Sequence, residues 1–193
     1  MLVRLLAILA TAALLAGCGV NDVPRLDEQV KASWSQVQNQ YQRRADLIPN
    51  LVETVKGYAA HESETLEAVI AARAKATSMQ LPENITQDPA AFAQFQENQA
   101  QLSSSLARLM VVVEQYPNLK ADQQFLALQS QLEGTENRIA VARKDYIETV
   151  QAYNTELRTV PGRWIAAVLY PDAEVKPTFT ASEPAQQAPA VKF

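Results

Sequence analysis

The chain has 193 residues, 48% of them hydrophobic, and sets 17 Lys and Arg against 21 Asp and Glu for a net charge of −4. That is one domain's worth of chain with enough apolar content for a core, and an acidic balance with no Lys/Arg run longer than two residues argues against binding nucleic acid or gripping anionic lipid by charge. One cysteine excludes an internal disulfide, and few glycines beside abundant Ala, Gln, Glu and Leu suit long helices.

The first element is a leader. Arg4 is followed by an apolar run over residues 5–15 that ends in Leu15-Ala16-Gly17-Cys18. A charged start, an apolar stretch of about ten residues and small residues before a cleavage point make a secretory signal. The run is short of the ~20 apolar residues that span a bilayer. Its end resembles the bacterial lipobox, in which the cysteine thiol takes a diacylglycerol, the leader is cut before it and the new amine is acylated. The expectation is a signal peptide over residues 1–17, lipidation at Cys18 and a linker over residues 18–25. An unpaired cysteine in an exported chain calls for a use, and lipidation supplies one. The alternative is an ordinary leader, or an uncleaved anchor, with an incidental Cys18. Gly19 stands where the Gram-negative inner-membrane retention signal is Asp, which favours the outer membrane and its periplasmic face.

Helical seams follow. From Val30 through Trp34, Val37, Tyr41, Ala45, Ile48, Val52, Val55 and Ala59, then Leu66 and Val69, the spacing alternates between three and four, interrupted at Glu62 and Arg73. This seam predicts helix from Leu26 to about Ser78. Pro49 is either a kink in one long helix or lies in the first turn of a new one capped by Asp46. Asp88-Pro89 predicts a helix start, since Asp caps free amides and Pro tolerates the first helical position. Its seam runs from Phe92 to Tyr116 and stops at Pro117. A further helix is expected from near Leu119 to about Thr159, before Pro161-Gly162. Successive helices of near-3.5 period joined by short turns read as an all-α fold, an elongated antiparallel up-and-down bundle over residues 26–170. The apolar segment from Arg163 to Tyr170 reads as a closing helix on the bundle end, with a surface that touches lipid or a partner as the alternative. Residues 171–193 are expected to form an extended tail, disordered from residue 181.

Polar residues on this scaffold give little chemistry. His61 is the sole histidine and position 65 is Thr, so a helical zinc-protease pair cannot form. With one His and one lipid-committed Cys, most nucleophile–base pairs are unavailable. Glu62, Glu64 and Glu67 read as a solvated face, with a metal-dependent hydrolase as the weaker alternative. Arg43, Arg44, Asp46 and Asn50 form the most distinctive polar cluster. They suit a helix junction, where Arg and Asp complement helix dipoles, or a partner-binding patch. Gln99 and Thr135, on otherwise apolar seams, read as setting register between helices.

One stretch resembles a known family. Arg43-Arg44-Ala45-Asp46-Leu47-Ile48-Pro49-Asn50-Leu51-Val52-Glu53-Thr54-Val55-Lys56-Gly57-Tyr58, followed by His61-Glu62, is similar to the LemA signature. Trp34-Ser35-Gln36-Val37, Tyr116-Pro117-Asn118-Leu119-Lys120-Ala121 and Leu132-Glu133-Gly134-Thr135-Glu136-Asn137-Arg138-Ile139 fit it too. The resemblance implies a helical bundle outside the membrane with an N-terminal attachment and no established enzymatic activity; no cofactor is expected. It also implies association with membrane proteins that carry a TPM domain. Many members carry a transmembrane helix where this chain has a lipobox. The functional expectation is a lipid-anchored scaffold for other cell-envelope proteins, with a sensor of small ligands or peptides as the alternative.

Overall fold

The structure, a computed structural model, describes residues 19–82 and 84–180. The expected signal peptide, Cys18 and the end of the tail from residue 181 lie outside the described residues. Among those described there are six helices: α1 (Asp22–Tyr58), α2 (Ser63–Ser78), α3 (Pro89–Val113), α4 (Pro117–Lys120), α5 (Gln123–Arg158) and α6 (Gly162–Leu169). None is long and apolar enough to cross a membrane.

α1 begins four residues before Leu26. Pro24 falls in its first turn, where no helical amide bond is lost, and Arg25 pairs with Asp22 at 2.7 Å. At 1.5 Å per residue its 37 residues reach about 55 Å, and the 36 residues of α5 match it. The two run antiparallel, with Ser33 Oγ meeting Thr149 Oγ1 at 2.8 Å and Arg44 reaching Glu136 at 3.1 Å.

Of the two readings open at Pro49, the helix that continues through the proline holds and the corner does not, although that helix stops at Tyr58 and does not run on to Ser78. Pro49 lies inside α1, and the reversal comes at residues 59–62. Pro49 has no N–H to give the Ala45 carbonyl. That carbonyl instead accepts a hydrogen bond from Arg73 Nε at 2.8 Å. Arg73 interrupts the apolar seam because it is the partner that lets α1 pass through its proline. The same contact places α2 back along α1. Lys75 Nζ then donates to Gln101 Oε1 at 2.9 Å, tying α2 to α3. The order is up, down, up, down, as the short connections predict.

Local signals mark the other starts. Asp88 Oδ1 accepts from the amides of Ala90 and Ala91 at 2.9 and 3.0 Å, and Pro89 opens α3. The helix expected from Leu119 starts instead at Gln123. Pro117 opens the single turn α4, and Asp122 caps α5 through the Phe125 amide at 2.9 Å. A Cβ at Gly162 would collide with the Glu156 carbonyl, so glycine there lets α6 fold back tightly on the end of α5.

Residues 171–180 follow an extended course but are docked, not trailing. Asn154 clasps Lys176 from both sides, its Nδ2 donating to the Lys176 carbonyl at 3.0 Å and its Oδ1 accepting from the amide at 2.8 Å. Phe179 is buried within 5.0 Å of Phe92 and 5.5 Å of Tyr146, ring centre to ring centre. With 16 residues, α2 is too short, at about 24 Å, to cover the whole of α1. This strap and the segment that carries buried Ile85 help close the remaining core.

The core has two apolar parts. One, near the N-terminal end of α1, gathers Val23, Val30, Trp34, Phe92, Tyr146 and Phe179. The other, at the distal end, gathers Ile48, Val52, Leu66, Leu109, Leu119 and Phe125.

Candidate functional site

Between the two apolar parts lies a polar layer centred on Arg44, which is 1% exposed. Along α1 the buried positions 37, 41, 44, 48, 51 and 55 alternate in steps of four and three. Arg44 therefore occupies an inward position as naturally as Ala45 does. Its guanidinium cannot shed its charge, and burying it needs hydrogen-bonded partners. Nη1 donates to Ser103 Oγ at 2.8 Å and to Glu136 Oε1 at 3.1 Å. Nη2 donates to Gln99 Oε1 at 2.6 Å and to the Gln99 carbonyl at 3.3 Å. Tyr41 lies beneath, its ring centre 5.0 Å from the guanidinium carbon. Nε has no hydrogen-bond partner among the described residues.

This network joins α1, α3 and α5 through one side chain. Gln99, the seam residue expected to set register, is the buried side chain that receives Arg44. Thr135, also buried, satisfies its hydroxyl on the Gln131 carbonyl of its own helix at 2.8 Å. Beside the layer is a cavity of about 450 Å³, lined by Tyr41, Arg44, Gln96, Glu136, Arg143 and Thr180. Burial holds the Tyr41 hydroxyl above the ordinary phenol range against the pull of Arg143 and Arg44, so it stays protonated at neutral pH.

The predicted cluster of Arg43, Arg44, Asp46 and Asn50 is divided by the helix. Arg44 points inward, whereas Arg43, Asp46 and Asn50 are exposed. Asp46 accepts from Gln42 Nε2 at 2.7 Å one turn back. No helix ends there, so the dipole explanation does not apply. Sequence reasoning missed the connection of Arg44 to Ser103 and Glu136; the signal available was the spacing of 41, 44 and 48.

A second polar group closes the distal end. The Tyr116 hydroxyl donates to Glu62 Oε1 at 2.8 Å and lies 2.8 Å from His61 Nε2, which ties the α1–α2 corner to the end of α3. Tyr58 donates to Asp122 Oδ2 at 2.9 Å. Glu64 and Glu67 are exposed. Among the described residues no three His, Cys, Asp or Glu side chains gather to hold a metal ion.

Comparison with known proteins gives the family context. A family model described as the LemA family matches residues 33–193. Magnetosome proteins MamQ 1 and MamQ 2 of Paramagnetospirillum magneticum are each 35% identical over 65 residues, 34% of this chain and 24% of theirs. Protein LemA of Metamycoplasma hominis is 23% identical over 139 residues, 72% of this chain and 59% of that protein. The matched part thus spans about a quarter of each magnetosome protein and under two thirds of the Metamycoplasma one.

Proposed function

Because this chain belongs to the LemA family, we propose that it acts as a lipid-anchored, non-enzymatic helical adaptor for other proteins of the bacterial cell envelope. The observation that supports this most directly is the position of Leu15-Ala16-Gly17-Cys18 in the sequence, just before the start of α1. Only Gly19, Val20 and Asn21 separate the lipidated residue from Asp22. A three-residue link of at most about 11 Å holds the bundle at the membrane surface. Gly19 after Cys18 favours the periplasmic face of the outer membrane in a Gram-negative cell.

Partner contact falls to the outer face of α1. Arg43, Asp46 and Asn50 are presented there, while Arg44 braces the helix from within. By family resemblance the partner class is a membrane protein carrying a TPM domain. Labelled palmitate fed to cells should enter wild type and not Cys18→Ser. Crosslinking in whole cells should capture an envelope protein, and less of it with Arg43→Glu/Asp46→Lys. Wild type that takes no palmitate, or that is folded and anchored yet captures no partner, would count against the adaptor.

One observation favours a second reading, a sensor of small anionic ligands or peptides. The cavity beside Arg44 is also lined by Arg143, a second cation, and by Thr180 of the docked strap. An anionic ligand that raises the melting temperature of wild type but not of Arg143→Ala would select this reading.

A further inference from the structure

α6 has an inward face of Gly162, Ala166 and half-buried Ile165, and an outward face that is also apolar. Trp164 and Val168 stand one turn apart on it, 66% and 78% exposed. Exposed Val160 and Leu169 flank them, and Arg163 is the one charged side chain of the helix. Exposed aliphatics on the longer helices, such as Ile70, Val111 and Leu126, are spread singly. Those around α6 are grouped, and grouped apolar exposure marks a contact surface.

The start of the described chain lies against the same helix. A Cβ on Gly19 would touch Ile165 Cδ1 at 3.4 Å, and the Tyr170 hydroxyl donates to the Val20 carbonyl at 3.0 Å. Cys18 is the residue before Gly19 in the sequence. Acyl chains on Cys18 would therefore be attached one residue from the segment that packs against α6. A tryptophan and an arginine among aliphatics is the composition of a segment at the headgroup–acyl boundary.

We propose that the outward face of α6, led by Trp164 and Val168, seats in the membrane next to the lipid on Cys18 and fixes the tilt of the bundle on the bilayer. This rests on lipidation of Cys18 and adds a second, apolar contact to it. The occupant is the lipid surface and not a second copy, because the chain that leads to the attachment point packs against the helix that carries this face.

Full-length protein made in cells fed labelled palmitate is reconstituted into phosphatidylethanolamine–phosphatidylglycerol vesicles, with and without brominated acyl chains. The two tryptophans are Trp34, buried in the core, and Trp164. The emission component lost in Trp164→Phe reports α6 alone. Brominated lipid is expected to quench that component about twofold or more and to spare the Trp34 component, since interfacial helices bury several ångströms into the acyl boundary. Val168→Asp, at an exposed position, should keep the fold and relieve the quenching. Labelled, vesicle-bound protein whose Trp164 ignores bromine and stays open to aqueous acrylamide overturns the α6 contact and leaves the anchor standing. Shielding of Trp164 that follows protein density and not bromine assigns the face to a second copy and overturns it as well. Absence of palmitate on Cys18 overturns the anchor and the inference together.

Discussion

At the scale of residues, Arg44 and Lys176 show how buried charge is managed here. Truncation of Arg44 would strand Gln99 in the core and open a cavity, while Glu136, 43% exposed, can return to water. Arg44→Ala should cost about 3–5 kcal/mol, read from the urea midpoint, and Glu136→Gln about 1 kcal/mol or less. Lys176, its side chain fully buried, sits 2.7 Å from Asp27 Oδ1 and 4.9 Å from the Tyr153 ring centre. Burial alone would raise the Asp27 carboxyl, but the ammonium groups of Lys176 and Lys31 outweigh it and hold the carboxyl below the usual range. A carboxylate with a lowered folded pKa stabilises above its unfolded value, and that stability is lost as pH falls through the folded one. Unfolding free energy should therefore decline below about pH 4. Asp27→Asn should lower stability at neutral pH and flatten that decline, which urea melts across the acid range would check. None of this was legible from the residues alone. Arg44 is one charge among many until Ser103 and Glu136 arrive from positions 59 and 92 residues away.

At the scale of elements, the Pro49–Arg73 pair decides the course of the first half of the chain. Arg73→Met should destabilise wild type by about 1–2 kcal/mol, since it leaves the Ala45 carbonyl without a donor. In a Pro49→Ala background the alanine amide takes that carbonyl. The same Arg73→Met change should then cost markedly less, with a coupling of at least ~0.5 kcal/mol in the double-mutant cycle. Additive effects would refute the compensation. The seam spacing predicted that helix continues on both sides of Pro49, because apolar period is a local property of the sequence. It did not place the reversal, because residues 59–62 carry neither Pro nor Gly, and the interruption of the seam at Glu62 is no stronger than the one at Arg73, inside α2. The strap is a parallel case. Asn154→Ala should speed hydrogen exchange at the Lys176 amide, while amides in the middle of α5 keep their protection.

At the scale of the whole molecule, two long helices form a frame, and shorter pieces complete it at each end. α3 lines both cores, α2 covers the distal one, and the strap closes the proximal one over Trp34, Phe92 and Tyr146. A chain ended at Tyr170 loses Phe179 and the clasp of Asn154. It should melt on the order of 10 °C lower, from ~3 kcal/mol for a buried Phe and the slope expected at this size. An unchanged melting temperature would mean that the strap rests on the bundle without stabilising it.

The sequence by itself determined the all-helical fold, the inward faces of the long helices and the start of α3 at Asp88-Pro89. Each of these is set by neighbours within a turn or two, through amphipathic spacing or capping chemistry. Only the tertiary structure decided that Arg44 turns inward while Arg43, Asp46 and Asn50 stay out, that α1 passes through Pro49 and reverses at residues 59–62, and that residues 171–180 dock. Those outcomes depend on partners far along the chain: a carbonyl that needs a donor, a buried charge that needs acceptors, and an apolar cleft that a short helix leaves uncovered.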